Sequence, residues 1–255
     1  MRRFFALGDI HAHHTELMAL YQRLLDDGFS PEVDTLIGLG DALDGGPEAK
    51  KVIDQLMTWQ QAYPHWVFLR GNHEQMMLDA LDSLKDEHPH PDTWHHWWSQ
   101  GGRRTAYSYL PEDATDYERA IMQPEEYIDP AHIEWIRSLP LRHETDRFHF
   151  VHAGFRPGVP IEQQSEEDML WIRESFFKQR YSFGKPVIFG HTPVPEPMVV
   201  YDYRQGHRDE IVALGIDTMV GDYGKLTAVE LSGDTPRFFF QPAEKGPFED
   251  FDGFR

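Results

Sequence analysis

Leu69-Arg70-Gly71-Asn72-His73-Glu74 follows the apolar run Trp66-Val67-Phe68-Leu69 and leads into Gln75-Met76-Met77-Leu78. The apolar run reads as a buried strand and the residues after Glu74 as a helix, so the polar residues between them occupy a strand-to-helix turn. Arg70 can hold an anion, Asn72 can ligate a metal through its amide oxygen, and His73 can carry a proton. Gly71 is expected to turn the chain with positive φ, since it has no Cβ to forbid it. Polar turns of the same kind follow similar apolar runs elsewhere in the chain, and that recurrence decides the fold.

Upstream, residues 3–7 read as a buried strand ending at Gly8-Asp9-Ile10-His11. Leu17, Leu20, Tyr21, Leu24 and Leu25 recur at helical spacing until Gly28 stops them. Residues 35–39 form a second strand ending at Gly40-Asp41-Ala42-Leu43-Asp44, and Pro47 suits the first turn of the next helix. This alternation predicts an α/β fold with a parallel sheet. From about residue 80 to 145 the chain is rich in His, Pro, Trp and acids. It reads as a mostly helical cap inserted in one domain spanning 1–255. In this stretch, Trp94-His95-His96-Trp97-Trp98 reads as packing of the cap with histidines at its rim, and His88 and His90 as solvated. Strands resume at 148–151 and 187–189, and four antiparallel strands are expected at 198–203, 211–216, 226–231 and 237–241. The tail 247–255 reads as an extension.

Bulk composition narrows the function. The 255 residues carry a formal charge of −19 and no cysteine. Such acidity argues against a grip on nucleic-acid polymers, which needs clustered Lys and Arg, and against docking on an anionic membrane. No apolar run approaches a bilayer span, and Arg2-Arg3 do not introduce a signal-peptide apolar region. Without cysteine there is no thiolate site or Cys nucleophile, and the composition suits the cytoplasm.

Five segments place polar residues directly after a strand: Asp9-x-His11, Gly40-Asp41-x-x-Asp44, Gly71-Asn72-His73-Glu74, Val151-His152-Ala153-Gly154 and Gly190-His191-Thr192-Pro193. In open α/β sheets such strand ends meet at one crevice. Carboxylate, imidazole and amide without sulfur suit a hard or borderline divalent ion: Mn first, with Fe, Zn or Co as alternatives. Asp9, His11, Asp41, Asn72, His152 and His191 are too many ligands for one tetrahedral ion. Two ions use them well, with Asp9 and His11 on the first, Asn72, His152 and His191 on the second, and Asp41 bridging. Ions ~3.5–4 Å apart clamp the attacking and leaving oxygens of an in-line phosphoryl displacement.

The ordered set resembles the calcineurin-like metallophosphoesterases, above all the bacterial Ser/Thr protein phosphatase branch. Phe155-Arg156-Pro157-Gly158-Val159-Pro160, Leu170-Trp171-Ile172-Arg173 and Gly215-Ile216-Asp217-Thr218 are also similar to those enzymes. The resemblance implies an αββα sandwich of two mixed sheets, metals at the strand ends, and a hydroxide bridging them as nucleophile. It implies His73 as proton donor to the leaving group, Asp44 as its orienting partner, and Arg70 and Arg173 as phosphate contacts. The implied substrate is a phosphorylated one, a Ser/Thr (or Tyr) phosphoprotein monoester. A diadenosine tetraphosphate hydrolase is the alternative, and a weakened metal-binding interaction module is an alternative of another class. Two departures stand out. Gly45 occupies the position where the family usually carries a phosphate-contacting Arg, and Ala12 the position where it usually carries Gly.

Overall fold

The computed structural model describes residues 3–85, 91–111, 126–179, 181–202, 210–221, 224–233 and 235–243. Its strands form two five-stranded sheets. The first has the order β10-β9-β1-β2-β3, with β1 (Phe4–Leu7), β2 (Thr35–Gly38), β3 (Val67–Phe68), β9 (Lys225–Glu230) and β10 (Arg237–Pro242). The second has the order β4-β5-β6-β8-β7, with β4 (Arg142–Glu144), β5 (His149–Val151), β6 (Val187–Phe189), β7 (Met198–Tyr201) and β8 (Ile211–Gly215).

The strand period of two explains the layers. In β1, Phe5 and Leu7 face a core shared with Leu17, Leu20 and Leu24 of α1 (His14–Asp26) and with Val52, Ile53 and Leu56 of α2 (Ala49–Ala62). Between them, Ala6 faces the opposite way, into a core shared with Ile37, Phe150, Ile188, Leu214 and Val229. That second core joins residues of both sheets and is the seam between them. On the far side, Val151, Val187, Phe189 and Ala213 meet Met169 of α7 (Glu166–Trp171) and Phe176 of α8 (Glu174–Phe177). Helix, sheet, sheet and helix therefore stack as the expected αββα sandwich.

β1, β2 and β3 pair in parallel, as do β5, β6 and β8. The late strands are less uniform than the expected antiparallel set. β7 pairs antiparallel with β8 and β9 with β10, but β8 also runs parallel to β6, and the two hairpins belong to different sheets. Residue 203, expected as the end of β7, lies outside the described residues, as do His88, His90 and the tail 247–255.

The stretch read as a cap contains α4 (Pro91–Trp97), a kinked turn (Trp98–Gly102), α5 (Arg103–Ser108) and α6 (Pro130–Ser138). Its last residues form β4, an edge strand paired antiparallel with β5. Helix α3 (Asn72–Ser83) packs on α4 and so ties this stretch to the central turn. Pro47 lies just ahead of α2, whose N-cap is Glu48.

Candidate active site

The central turn is held by one carboxylate. Glu74 is fully buried. Its Oε2 accepts from the N–H of Gly71 (2.7 Å) and Asp41 (2.8 Å). Its Oε1 accepts from the N–H of Ala42 (2.8 Å) and Leu43 (3.2 Å). The start of α3 is thereby fastened to the loop after β2. Gly71 has φ −95° and ψ 179°, ordinary extended backbone rather than the positive φ expected of it. Its need for glycine is steric, because a Cβ there would lie 2.2 Å from Asp41 Oδ1.

The loops that carry the candidate ligands are strained. His11, Ala12, Asp41, Asp44 and His191 all take positive φ, between 45° and 62°. Non-glycine residues rarely adopt that region, and it recurs where function demands it. Ala12, standing where glycine was expected, is held there at φ 60°.

Asn72, His152 and His191 converge at one point. Asn72 Oδ1 lies 2.7 Å from His152 Nε2 and 2.7 Å from His191 Nδ1, and Asp41 Oδ1 lies 3.4 Å from His152 Nε2. His152 Nδ1 is 2.9 Å from the Leu39 carbonyl, which can only accept, so Nδ1 carries the proton. Burial lowers the His152 pKa and holds the ring neutral, leaving a lone pair on Nε2. Burial and neighbouring His152 likewise push His191 down to about 3, with Arg173 adding to the effect. A neutral imidazole nitrogen, an amide oxygen and a carboxylate oxygen crowded together repel one another unless a cation lies among them.

Asp41 faces a second group with its other oxygen. His11 Nε2 and His73 Nε2 lie 3.8 and 3.9 Å from Asp41 Oδ2. The ligating atoms of His11, Asp41 and His73 all lie within 4.8 Å of one another, and so do those of Asp41, His152 and His191. Asp41 is common to both groups, whereas the sequence reading placed Asp9 rather than His73 beside His11. Asp9 is buried next to them. Its Oδ2 accepts the His191 N–H at 2.9 Å, while its buried Oδ1 has no hydrogen-bond partner. Burial, reinforced by Asp217 and Asp41, drives the Asp9 pKa well up. Asp217 is itself 3% exposed and raised by burial. Three buried carboxylates beside lone-pair nitrogens, with one oxygen orphaned, fit divalent cations coordinated by N and O.

His73 has a different environment on its other nitrogen. Its Nδ1 lies 2.8 Å from Asp44 Oδ2. Asp44 is fully buried and accepts from Thr105 Oγ1 (2.6 Å) and Trp97 Nε1 (3.1 Å to Oδ2). The Thr105 hydroxyl oxygen also lies 3.0 Å from the Asp44 N–H. Burial works against charge on His73, but Asp41 and Asp44 outweigh it and raise its pKa to about 9. The His73 Nε2 is directed toward Asp41 and His11.

The two arginines differ. Arg70 donates its backbone N–H to Pro140 O, and its guanidinium lies 3.4 Å from Glu166 at the start of α7, with Nε buried and unpartnered. Arg173 caps the start of α8 and is near enough for its charge to act on His191. Trp171, 40% exposed, stands edge-on to the His191 ring at 6.1 Å. Thr105 is a site neighbour that sequence reasoning missed, while Trp97 was read only as cap packing and Asp217 only as part of a similar stretch, neither with a place at the site. Asp217 carried a signal, since it sits after an apolar run as the ligand turns do. Trp97 and Thr105 lie on helices of the cap, where no strand-end pattern marks them.

A family model described as calcineurin-like phosphoesterase matches residues 2–229. The chain belongs to that family. This phosphoesterase is therefore a hydrolase acting on phosphoric ester bonds, in a family that uses divalent metals. It is 30% identical over 236 residues to serine/threonine-protein phosphatase 1 of Salmonella typhimurium, covering 90% of this chain and 92% of that one. It is 38% identical over 235 residues to serine/threonine-protein phosphatase 2 of Escherichia coli, covering 89% and 91%. Among solved structures, one assigned provisionally as a diadenosine tetraphosphatase superposes with a TM-score of 0.61 at 19% identity, covering 96% of this chain and 95% of that one. At that identity the likeness speaks to the fold. No helix among the described residues is long and apolar enough to cross a membrane.

Proposed function

We propose that this phosphoesterase is a dinuclear-metal phosphomonoesterase acting on phosphorylated Ser or Thr (or Tyr) of proteins. The observation that carries the reading is Asp41, whose two oxygens face two separate ligand groups beside His73. Asp9, His11 and Asp41 would hold one ion and Asp41, Asn72, His152 and His191 the other. Mn is the favoured metal, with Fe, Zn and Co as alternatives, and the setting is the cytoplasm. When bound, the ions would supply Lewis-acid charge and an activated water for in-line displacement.

The chain's own residues do the rest. Arg70 and Arg173 orient the phosphoryl group and neutralise its oxygens where charge develops. His73 donates the Nε2 proton to the departing oxygen, and Asp44 fixes the ring by holding Nδ1. Trp97 and Thr105 hold Asp44, so the cap positions the proton donor. The 30–38% identity to two serine/threonine-protein phosphatases over nine-tenths of the chain supports the substrate class.

The test is turnover of p-nitrophenyl phosphate with Mn(II), followed by a phosphopeptide, a dinucleoside tetraphosphate and a phosphodiester side by side. Phosphopeptide preference is expected. Elemental analysis should find close to two ions at saturation, both disturbed by Asp41→Asn. A single ion at saturation, or both retained in that variant, removes the dinuclear reading.

A further inference from the structure

Helix α7 touches the site at both ends. At its far end Trp171 stands edge-on to the His191 ring at 6.1 Å. At its start Glu166 Oε1 lies 3.4 Å from Arg70 Nη2. The arginine assigned to the phosphoryl group thus already carries a carboxylate of the chain's own. The helix is fixed in that place. Ser165 Oγ caps it by accepting the Asp168 N–H at 3.1 Å, and Asp168 takes two bonds from Arg156, at 2.8 and 2.5 Å. The Met169 carbonyl accepts the Ala153 N–H at 2.9 Å, next to His152.

The two carboxylate–arginine pairs of this helix differ. Asp168 meets Arg156 through both oxygens at the distances of charge-assisted bonds. Glu166 meets Arg70 through one oxygen, beyond that range, and its side chain is 54% exposed against 16% for Arg70. Arg70 Nε is buried and has no partner among the described residues. A buried N–H with nothing to donate to is costly, and Glu166 does not supply the acceptor. One distant oxygen at Nη2 and an unpaired Nε leave the guanidinium fork half used. A phosphoryl group carries the charge and the oxygen spacing to use it whole.

We infer that Glu166 is a resident anion on Arg70, displaced when a phosphoryl group binds and restored when inorganic phosphate leaves. The inference rests on the reading of Arg70 as a phosphate contact. Glu166 then sets how tightly phosphate is held. Every anion that reaches Arg70 first breaks the Glu166 pair, so substrate and product lose the same factor of affinity, fixed by the fraction of Arg70 that is unpaired. The displaced carboxylate stays close to the bound phosphoryl group and repels it, which acts in the same direction. The exchange is complete once substrate is bound, so it moves KM and not the chemical step. An exposed ion pair contributes little stability, which suits a contact that breaks in every turnover.

The test compares Glu166→Gln with the parent, each as the Mn(II)-loaded full chain. Calorimetric titration with inorganic phosphate gives Kd, and turnover of p-nitrophenyl phosphate gives KM and kcat. Kd and KM should both fall about two- to fivefold, the scale of an exposed ion pair, with kcat no higher. Unchanged constants make the pair incidental and overturn the inference. A raised Kd overturns it too, since Glu166 would then orient Arg70 instead of competing for it. Arg70→Ala separates the inference from the reading beneath it. If that variant leaves the phosphate Kd where it was, Arg70 is no phosphate contact and both fall. If it raises Kd while Glu166→Gln fails to lower it, the exchange alone is wrong.

Discussion

Replacing Glu74 by Gln changes one atom and strands two backbone donors. Each Glu74 oxygen accepts two N–H groups: Gly71 and Asp41 on Oε2, Ala42 and Leu43 on Oε1. An amide has one acceptor oxygen, so either orientation of Gln points an NH2 group at two N–H donors. Both are buried beyond the reach of solvent. A stranded buried donor costs ~1–3 kcal/mol, so Glu74→Gln should destabilise the fold by roughly 2–6 kcal/mol. For a domain of this size each kcal/mol shifts Tm by about 2–4 °C, giving a fall of at least ~4 °C. The assay is thermal melting of metal-free protein, which keeps ion binding from masking the change. Hydrogen exchange at the Asp41, Ala42 and Leu43 amides should accelerate with it. A Tm within ~2 °C of the parent and unaltered exchange at those three amides would refute the claim that one carboxylate fastens the Asp41 loop to α3.

Three further outcomes are expected. His73→Asn should retain metal content and lose turnover by ~10²-fold or more, less for substrates with strongly acidic leaving groups; loss of metal would make His73 a ligand, as its place beside His11 and Asp41 allows. Gly45→Arg should not restore a phosphate contact, because Gly45 has φ +81°, a backbone that a side-chain-bearing residue adopts only with strain; at ~1–2 kcal/mol for the left-handed backbone, its Tm should fall, and a stable variant with raised monoester turnover would contradict this. Asp34 is buried, yet its carboxyl is held below the usual range by Arg3, at 2.5 Å, and by the Ser30 N–H. A depressed folded pKa contributes stability above the unfolded value of ~4 that is lost as pH falls below it. Asp34→Asn should therefore lower Tm at pH 7, with the gap narrowing as pH falls from ~4 through the depressed folded pKa, and a gap independent of pH would exclude the ion pair as its cause.

The sequence by itself determined the strands and the turns that follow them. The apolar runs before Asp9, Asp41, Asn72, His152 and His191 are local patterns, and strand-end polar residues in such sheets gather at one crevice. That was enough to name the cluster before any distance was known. Gly71 marks where local reasoning stopped. A glycine in a tight turn suggests positive φ, but its need comes from an oxygen of Asp41, 30 residues away in sequence and 2.2 Å from the Cβ that is missing.

What only the tertiary structure decided is everything that depends on a partner remote in sequence. The resemblance implied Asp44 as the His73 partner, but not what holds it: Trp97 and Thr105, from helices with no pattern of their own, reach it across 53 and 61 residues. Gly45 is likewise fixed by residues remote in the chain: Arg104 Nη1 donates to its carbonyl, and Gly101 packs so close that a Cβ there would lie 2.6 Å from Gly45 N. Periodicity records which face of an element is buried, because burial repeats with the backbone. It carries no record of which two elements meet, and the electrostatics of this site arise where they do.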